Sequence, residues 1–75
     1  MKRYKNITGQ SGVTAYNISP TGIDIEFNLD AVYRYTYASA GKAIIEKMKR
    51  LALNGEGLST YISQHVKDKF ETQLK

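Results

Sequence analysis

Val32-Tyr33-Arg34-Tyr35-Thr36-Tyr37 decides how this chain folds. Its tyrosines fall at every second position. Alternate side chains of a β-strand point to opposite faces, so Tyr33, Tyr35 and Tyr37 share one face and Val32, Arg34 and Thr36 the other. A row of aromatic rings on one face either closes a hydrophobic core or offers a platform on which nucleic-acid bases stack.

The neighbouring segment favours the core for part of the row. Ile23-Asp24-Ile25-Glu26-Phe27 is the cleanest alternation in the chain. Ile23, Ile25 and Phe27 are expected to face inward and Asp24 and Glu26 outward. Asn28-Leu29-Asp30 reads as the turn between this strand and the tyrosine strand. Val13–Ser19 reads as an earlier strand, with Tyr16 and Ile18 on one face, Val13 and Ala15 on the other, and the buried face left open. Pro20-Thr21-Gly22 is the intervening turn, proline presetting φ and glycine accepting positive φ. Three strands joined by short turns make an antiparallel meander.

From Ala38 the period changes. Ser39 is the expected N-cap. Ile44, Ile45, Met48, Leu51 and Ala52 recur at helical spacing, and Asn54-Gly55 supplies the C-cap. A second helix is expected from Ser59 or Thr60, with Leu58, Ile62, Val66 and Phe70 as its apolar edge. Residues 1–11 read as a flexible polar tail, residues 12–75 as one domain, and the residues after Phe70 as a fraying end. The expected fold class is α+β: a three-stranded antiparallel β-meander packed against two C-terminal α-helices, in the order β-β-β-α-α.

Size and composition bound the function. A chain of 75 residues is one small domain. It has no cysteine, which rules out disulfides and thiolate metal sites and fits a reducing, cytoplasmic setting. No run is long and apolar enough to cross a bilayer, and the basic start, Met1-Lys2-Arg3, is not followed by the apolar stretch of a signal peptide. The net charge of +4 arises from 11 Lys and Arg against 7 Asp and Glu. It is unevenly spread: residues 6–33 contain no basic side chain.

The candidate sites point to binding, with no catalytic residue, metal ligand or cofactor expected. The lone histidine, His65, has no second ligand at metal-binding spacing and reads as a helix-edge residue. Asp24 and Glu26 read as surface charges, because they share the outward face of one strand with nothing apolar between them on that face to raise a pKa. The first helix carries Lys42, Glu46, Lys47, Lys49 and Arg50, and Glu46 is spaced to bridge Lys42 and Arg50. Its face is either an ordinary solvated surface or a contact for phosphates, with Lys47, Lys49 and Arg50 the best placed. Arg34 and Tyr37, at the strand end, complete the candidate nucleic-acid-binding set.

The order of these motifs resembles the KTSC domain, a module found at the C-terminus of some lysyl-tRNA synthetases and as small free-standing bacterial proteins. Gly22–Phe27 is similar to the family's hairpin strand, and Val32-Tyr33-Arg34-Tyr35 to its central Tyr-x-Tyr motif. Tyr16-Asn17 resembles the aromatic-acidic pair ending its first strand, and Tyr61–Phe70, with His65, its closing segment. The likeness covers residues 13–70. Ala38-Ser39 stands where the family often has Val-Pro, and Gly57-Leu58-Ser59 where it has Ser-x-Gly. The resemblance implies mainly structural roles for Tyr33, Tyr35, Tyr61, His65 and Phe70. It also implies RNA as a partner, through the family's association with a tRNA enzyme. The alternative expectation is a protein partner, or a second copy of the chain, adding to a sheet edge.

Overall fold

Ile23, Ile25 and Phe27 alternate with Asp24 and Glu26, and the strand they build is the middle strand of the sheet. In the computed structural model, which describes every residue except Thr8 and Gln10, five antiparallel strands lie in chain order. They are β1 (Lys2–Arg3), β2 (Val13–Ser19), β3 (Gly22–Phe27), β4 (Ala31–Thr36) and β5 (Thr72–Gln73). Between β4 and β5 run α1 (Tyr37–Ala40), α2 (Lys42–Asn54), α3 (Leu58–Tyr61) and a π-helical segment, Ile62–Val66. The protein is thus α+β.

Register fixes the faces. Ile25 lies opposite Tyr16 on one side and Tyr33 on the other, and Ile23 lies opposite Ile18 and Tyr35. These residues make the inner face. An irregularity between Val13 and Ala15 shifts the parity of β2. Val13 therefore joins Tyr16 on the inner face, and only Ala15 faces out, which settles the ambiguity in that strand. Tyr35 is 2% exposed, and burial pushes its hydroxyl pKa up to about 12. Ile45, Met48 and Ala52 from α2 and Leu58, Ile62 and Val66 from the C-terminal helical segment complete the core.

Four expectations are corrected. The N-terminal segment is docked: Tyr4 is buried, its N–H donates to the Thr14 carbonyl, and its hydroxyl accepts from the Leu58 N–H. Thr8 and Gln10 of that segment lie outside the described residues. Ser39 is not the N-cap expected of the helix carrying Ile44 to Ala52: that helix, α2, starts after Gly41 without a side-chain cap, and the separate α1 before it is capped by Thr36. The Thr36 hydroxyl accepts from the Ser39 N–H while the Ser39 hydroxyl accepts from the Thr36 N–H, closing a capping box. The second helix ends at Val66, so Phe70 packs from an extended segment. Finally, the C-terminus does not fray: the Glu71 and Leu74 N–H groups donate to the carbonyls of Arg34 and Val32.

The chain leaves the π-helical segment through a strained turn. Lys67 has φ 53° and ψ −122°, and the Lys69 N–H donates to the Val66 carbonyl. That is a type II′ turn with lysine where glycine is preferred. Lys67→Gly is therefore expected to raise stability by about 1 kcal/mol and Tm by roughly 4–8 °C, whereas Lys67→Ala gives no gain. Thermal melts of the three proteins check this. A Tm for the glycine variant at or below that of the parent refutes it.

Candidate functional site

Tyr37 opens α1 instead of ending the tyrosine strand, because the capping box at Thr36 turns the chain there. Its N–H donates to the Thr21 carbonyl, which ties it to the β2–β3 turn. The ring then lies against the first turns of α2. Its hydroxyl donates to Glu46 Oε2 at 2.6 Å. That bond holds the tyrosine pKa above its ordinary value and the Glu46 carboxyl below the usual carboxylate range. Lys49 Nζ stands 5.3 Å and Lys42 Nζ 6.0 Å from the ring centroid, within cation–π range. Lys49 also pairs with Glu46 at 3.1 Å. The expected bridge from Glu46 to Lys42 and Arg50 is replaced by this Tyr37–Glu46–Lys49 cluster.

Arg34 stands on the outer face of the sheet, which no helix covers. Its Nε and Nη2 donate to the two carboxylate oxygens of Asp24 at 2.9 and 3.2 Å. The register puts Asp24 directly across from it, and opposite charges in that position attract. The paired carboxylate raises the already high pKa of the guanidinium. Beside it the Thr36 hydroxyl donates to Glu71. Arg34, Asp24, Thr36 and Glu71 line a groove of about 580 Å³, together with Asn17, Ser19, Thr21 and Ala38. Tyr37 lines the same groove. It therefore stands where the outer-face groove meets the lysines of α2.

The other expected contacts separate. Successive helical residues are about 100° apart, so Lys47 and Lys49 differ by about 200° and lie on opposite flanks of α2. Both are half-buried. Arg50 is exposed between those flanks, with no salt bridge among the described residues. Lys47 is thus remote from Tyr37, and Arg50 is peripheral to it.

Of the residues that the family resemblance singles out, Tyr35 is buried, Tyr33, Tyr61 and Phe70 are half-buried and His65 is exposed. Phe70 packs against Tyr33 and Tyr35, with ring centroids 4.7 and 6.2 Å away. Phe27 meets Tyr33 edge to face at 5.8 Å. Tyr61 and His65 face each other at 5.0 Å on the last helical turns, with His65 exposed. Both edges of the three-strand meander carry a short added strand, β1 and β5, although β1 reaches only to Tyr16.

Sequence reading missed Lys42, Glu46 and Asp24 as parts of the site. Asp24 had a usable signal: a three-residue turn between Phe27 and Ala31 places it opposite Arg34. Comparison with family models, curated proteins and solved structures finds no match.

Proposed function

We propose that this chain is a non-enzymatic, KTSC-like module that binds single-stranded RNA at Tyr37. The observation that carries this reading is the position of Tyr37, a half-buried aromatic ring between a polar groove and two ammonium groups. Such a ring offers a stacking surface. The adjacent lysines supply charge for the phosphates on either side of a stacked base, and the groove supplies hydrogen-bonding groups. Stacking of one base is worth roughly 1–3 kcal/mol, and each phosphate contact on a single strand adds about 0.7 to the slope of log K against log salt.

The RNA surface is smaller than the one expected from sequence, since Lys47 lies beyond reach. Anisotropy of a labelled 12-nucleotide single-stranded RNA at 50 and 200 mM salt tests the reading. Tyr37→Leu is expected to weaken binding about tenfold, and Lys42→Ala with Lys49→Ala to flatten the salt slope by about 1.4. Lys47→Ala is expected to change neither. Absent binding, or binding indifferent to salt, refutes the proposal.

A further inference from the structure

Arg34 is held in place but not used up. Asp24 engages Nε and Nη2, which form one edge of the guanidinium. The other edge, Nη1 with the second hydrogen of Nη2, has no hydrogen-bond partner among the described residues. Asp24 is only 13% exposed against 46% for Arg34, so a largely buried carboxylate orients an arginine that projects from the sheet. The free edge presents two parallel donors, and its natural partner is a pair of adjacent acceptors.

Two classes of acceptor pair are available in RNA, a phosphate and a base edge. The charge in the groove decides between them. Asp24 and Glu71 set two carboxylates around the single guanidinium of Arg34, leaving one net negative charge. A phosphate would add to that charge, whereas a neutral base would not. Cations for phosphates stand on the other side of Tyr37, at Lys42 and Lys49.

Two bases of a single strand present two adjacent acceptors on one edge, guanine through O6 and N7 and cytosine through O2 and N3. Adenine sets its amino donor beside N7 and N1, and uracil sets its N3–H donor between O2 and O4. We propose that Arg34, oriented by Asp24, reads the paired acceptors of a base seated in the groove beside Tyr37, O6/N7 of guanine or O2/N3 of cytosine. This rests on the RNA-binding reading above, and it adds a base identity to it.

The test uses four nine-nucleotide RNAs, all uridine except for a central A, C, G or U. A fifth carries 7-deazaguanine at the centre. A single guanine keeps the strands from forming quadruplexes. The guanine strand, the cytosine strand or both are expected to bind about tenfold more tightly than the adenine and uridine strands, and the 7-deaza strand to lose most of any guanine advantage. Arg34→Lys retains the charge but not the paired donors. It is expected to bind all the strands alike, near the level of the parent with uridine, and its circular dichroism should match that of the parent. If the parent binds all four strands equally, or prefers adenine or uridine, the base assignment falls while RNA binding stands. A preference for guanine or cytosine that survives Arg34→Lys removes Arg34 as the reader. If none of the strands binds, the RNA-binding reading falls as well.

Discussion

Ile45→Ala is expected to lower the stability of this domain by about 3 kcal/mol. Ile45 is fully buried on the inner side of α2, in the cluster that joins the helix to Ile23, Ile25 and Tyr35. Removing three carbons there loses their transfer free energy and leaves a cavity, and Ile→Ala changes in cores cost roughly 2–5 kcal/mol. The total stability of a 75-residue domain is small, roughly 0.05–0.15 kcal/mol per residue. One substitution thus removes a large share of it. Leu53→Ala, on the exposed flank of the same helix at 53% exposure, is expected to stay within about 0.5 kcal/mol of the parent. Urea unfolding of both variants checks the pair. A loss below about 1 kcal/mol for Ile45→Ala would mean that α2 is not seated on the sheet as described.

The buried side of this helix was legible in the sequence. At 3.6 residues per turn Ile44, Ile45, Met48, Leu51 and Ala52 form one stripe, and the residues of α2 that the structure buries, Ile45, Met48 and Ala52, all belong to it. Gly55 likewise takes the left-handed C-cap conformation that Asn54-Gly55 announced, with φ 82°. The three long strands were legible for the same reason, since each repeats its pattern enough times to declare a period. The edge strands were not. Lys2–Arg3 and Thr72–Gln73 are two residues long, and two residues have no period. They are recruited by the unpaired backbone of β2 and β4, a tertiary effect with no local signal.

The end of the chain shows a subtler failure. Leu58, Ile62, Val66 and Phe70 repeat every fourth residue, which on an α-helix drifts by about 40° per step. The structure widens the helix at Ile62–Val66 into a π-helical segment, and both ends of that segment stay buried. Phe70 then leaves the helix altogether and reaches the tyrosines from the β5 side. The pattern picked out three buried residues and a fourth, the half-buried Phe70, that packs against the core, yet it could not say that Phe70 arrives by a different route.

The site was legible as residue types rather than as an arrangement. Arg34, Tyr37 and Lys49 were named, and the structure gathers them around one ring and one groove. What sequence alone did not supply was the capping box. Thr36 read as a strand residue and Ser39 as an N-cap, because the usual Glu or Gln at the fourth position of the box is replaced by serine. The box starts a helical turn at Tyr37, and it is why Tyr37 faces α2 instead of extending the aromatic row.

Gly22→Ala is expected to cost about 2 kcal/mol and to disturb the site as well as the fold. Gly22 begins β3 opposite Thr36, and its φ is not among the positive values. Glycine is therefore needed there for close approach, not for the positive φ that the turn sequence suggested. A Cβ at this position would fall inside hard contact with the Tyr35 carbonyl oxygen and would lie 3.3 Å from Thr36 Cα. These are backbone atoms, so relief requires β3 and β4 to part at this end of the sheet. Thr36 is the residue that caps α1, and the Tyr37 N–H is bonded to the Thr21 carbonyl just beside it. Separation here would loosen the bend that carries Tyr37 to Glu46 and Lys49. Gly12→Ala is the control, because its added Cβ would meet only Asn28 Oδ1 at 3.6 Å, an ordinary contact. Urea unfolding should show Gly22→Ala well below the parent and Gly12→Ala close to it. The Tyr37 ring resonances, followed by NMR at a temperature where both variants are folded, should shift in the first and not in the second. Equal stability of the two variants would show that the β3–β4 end has room for a methyl group, and the tight closure at Thr36 would then not be what places the tyrosine.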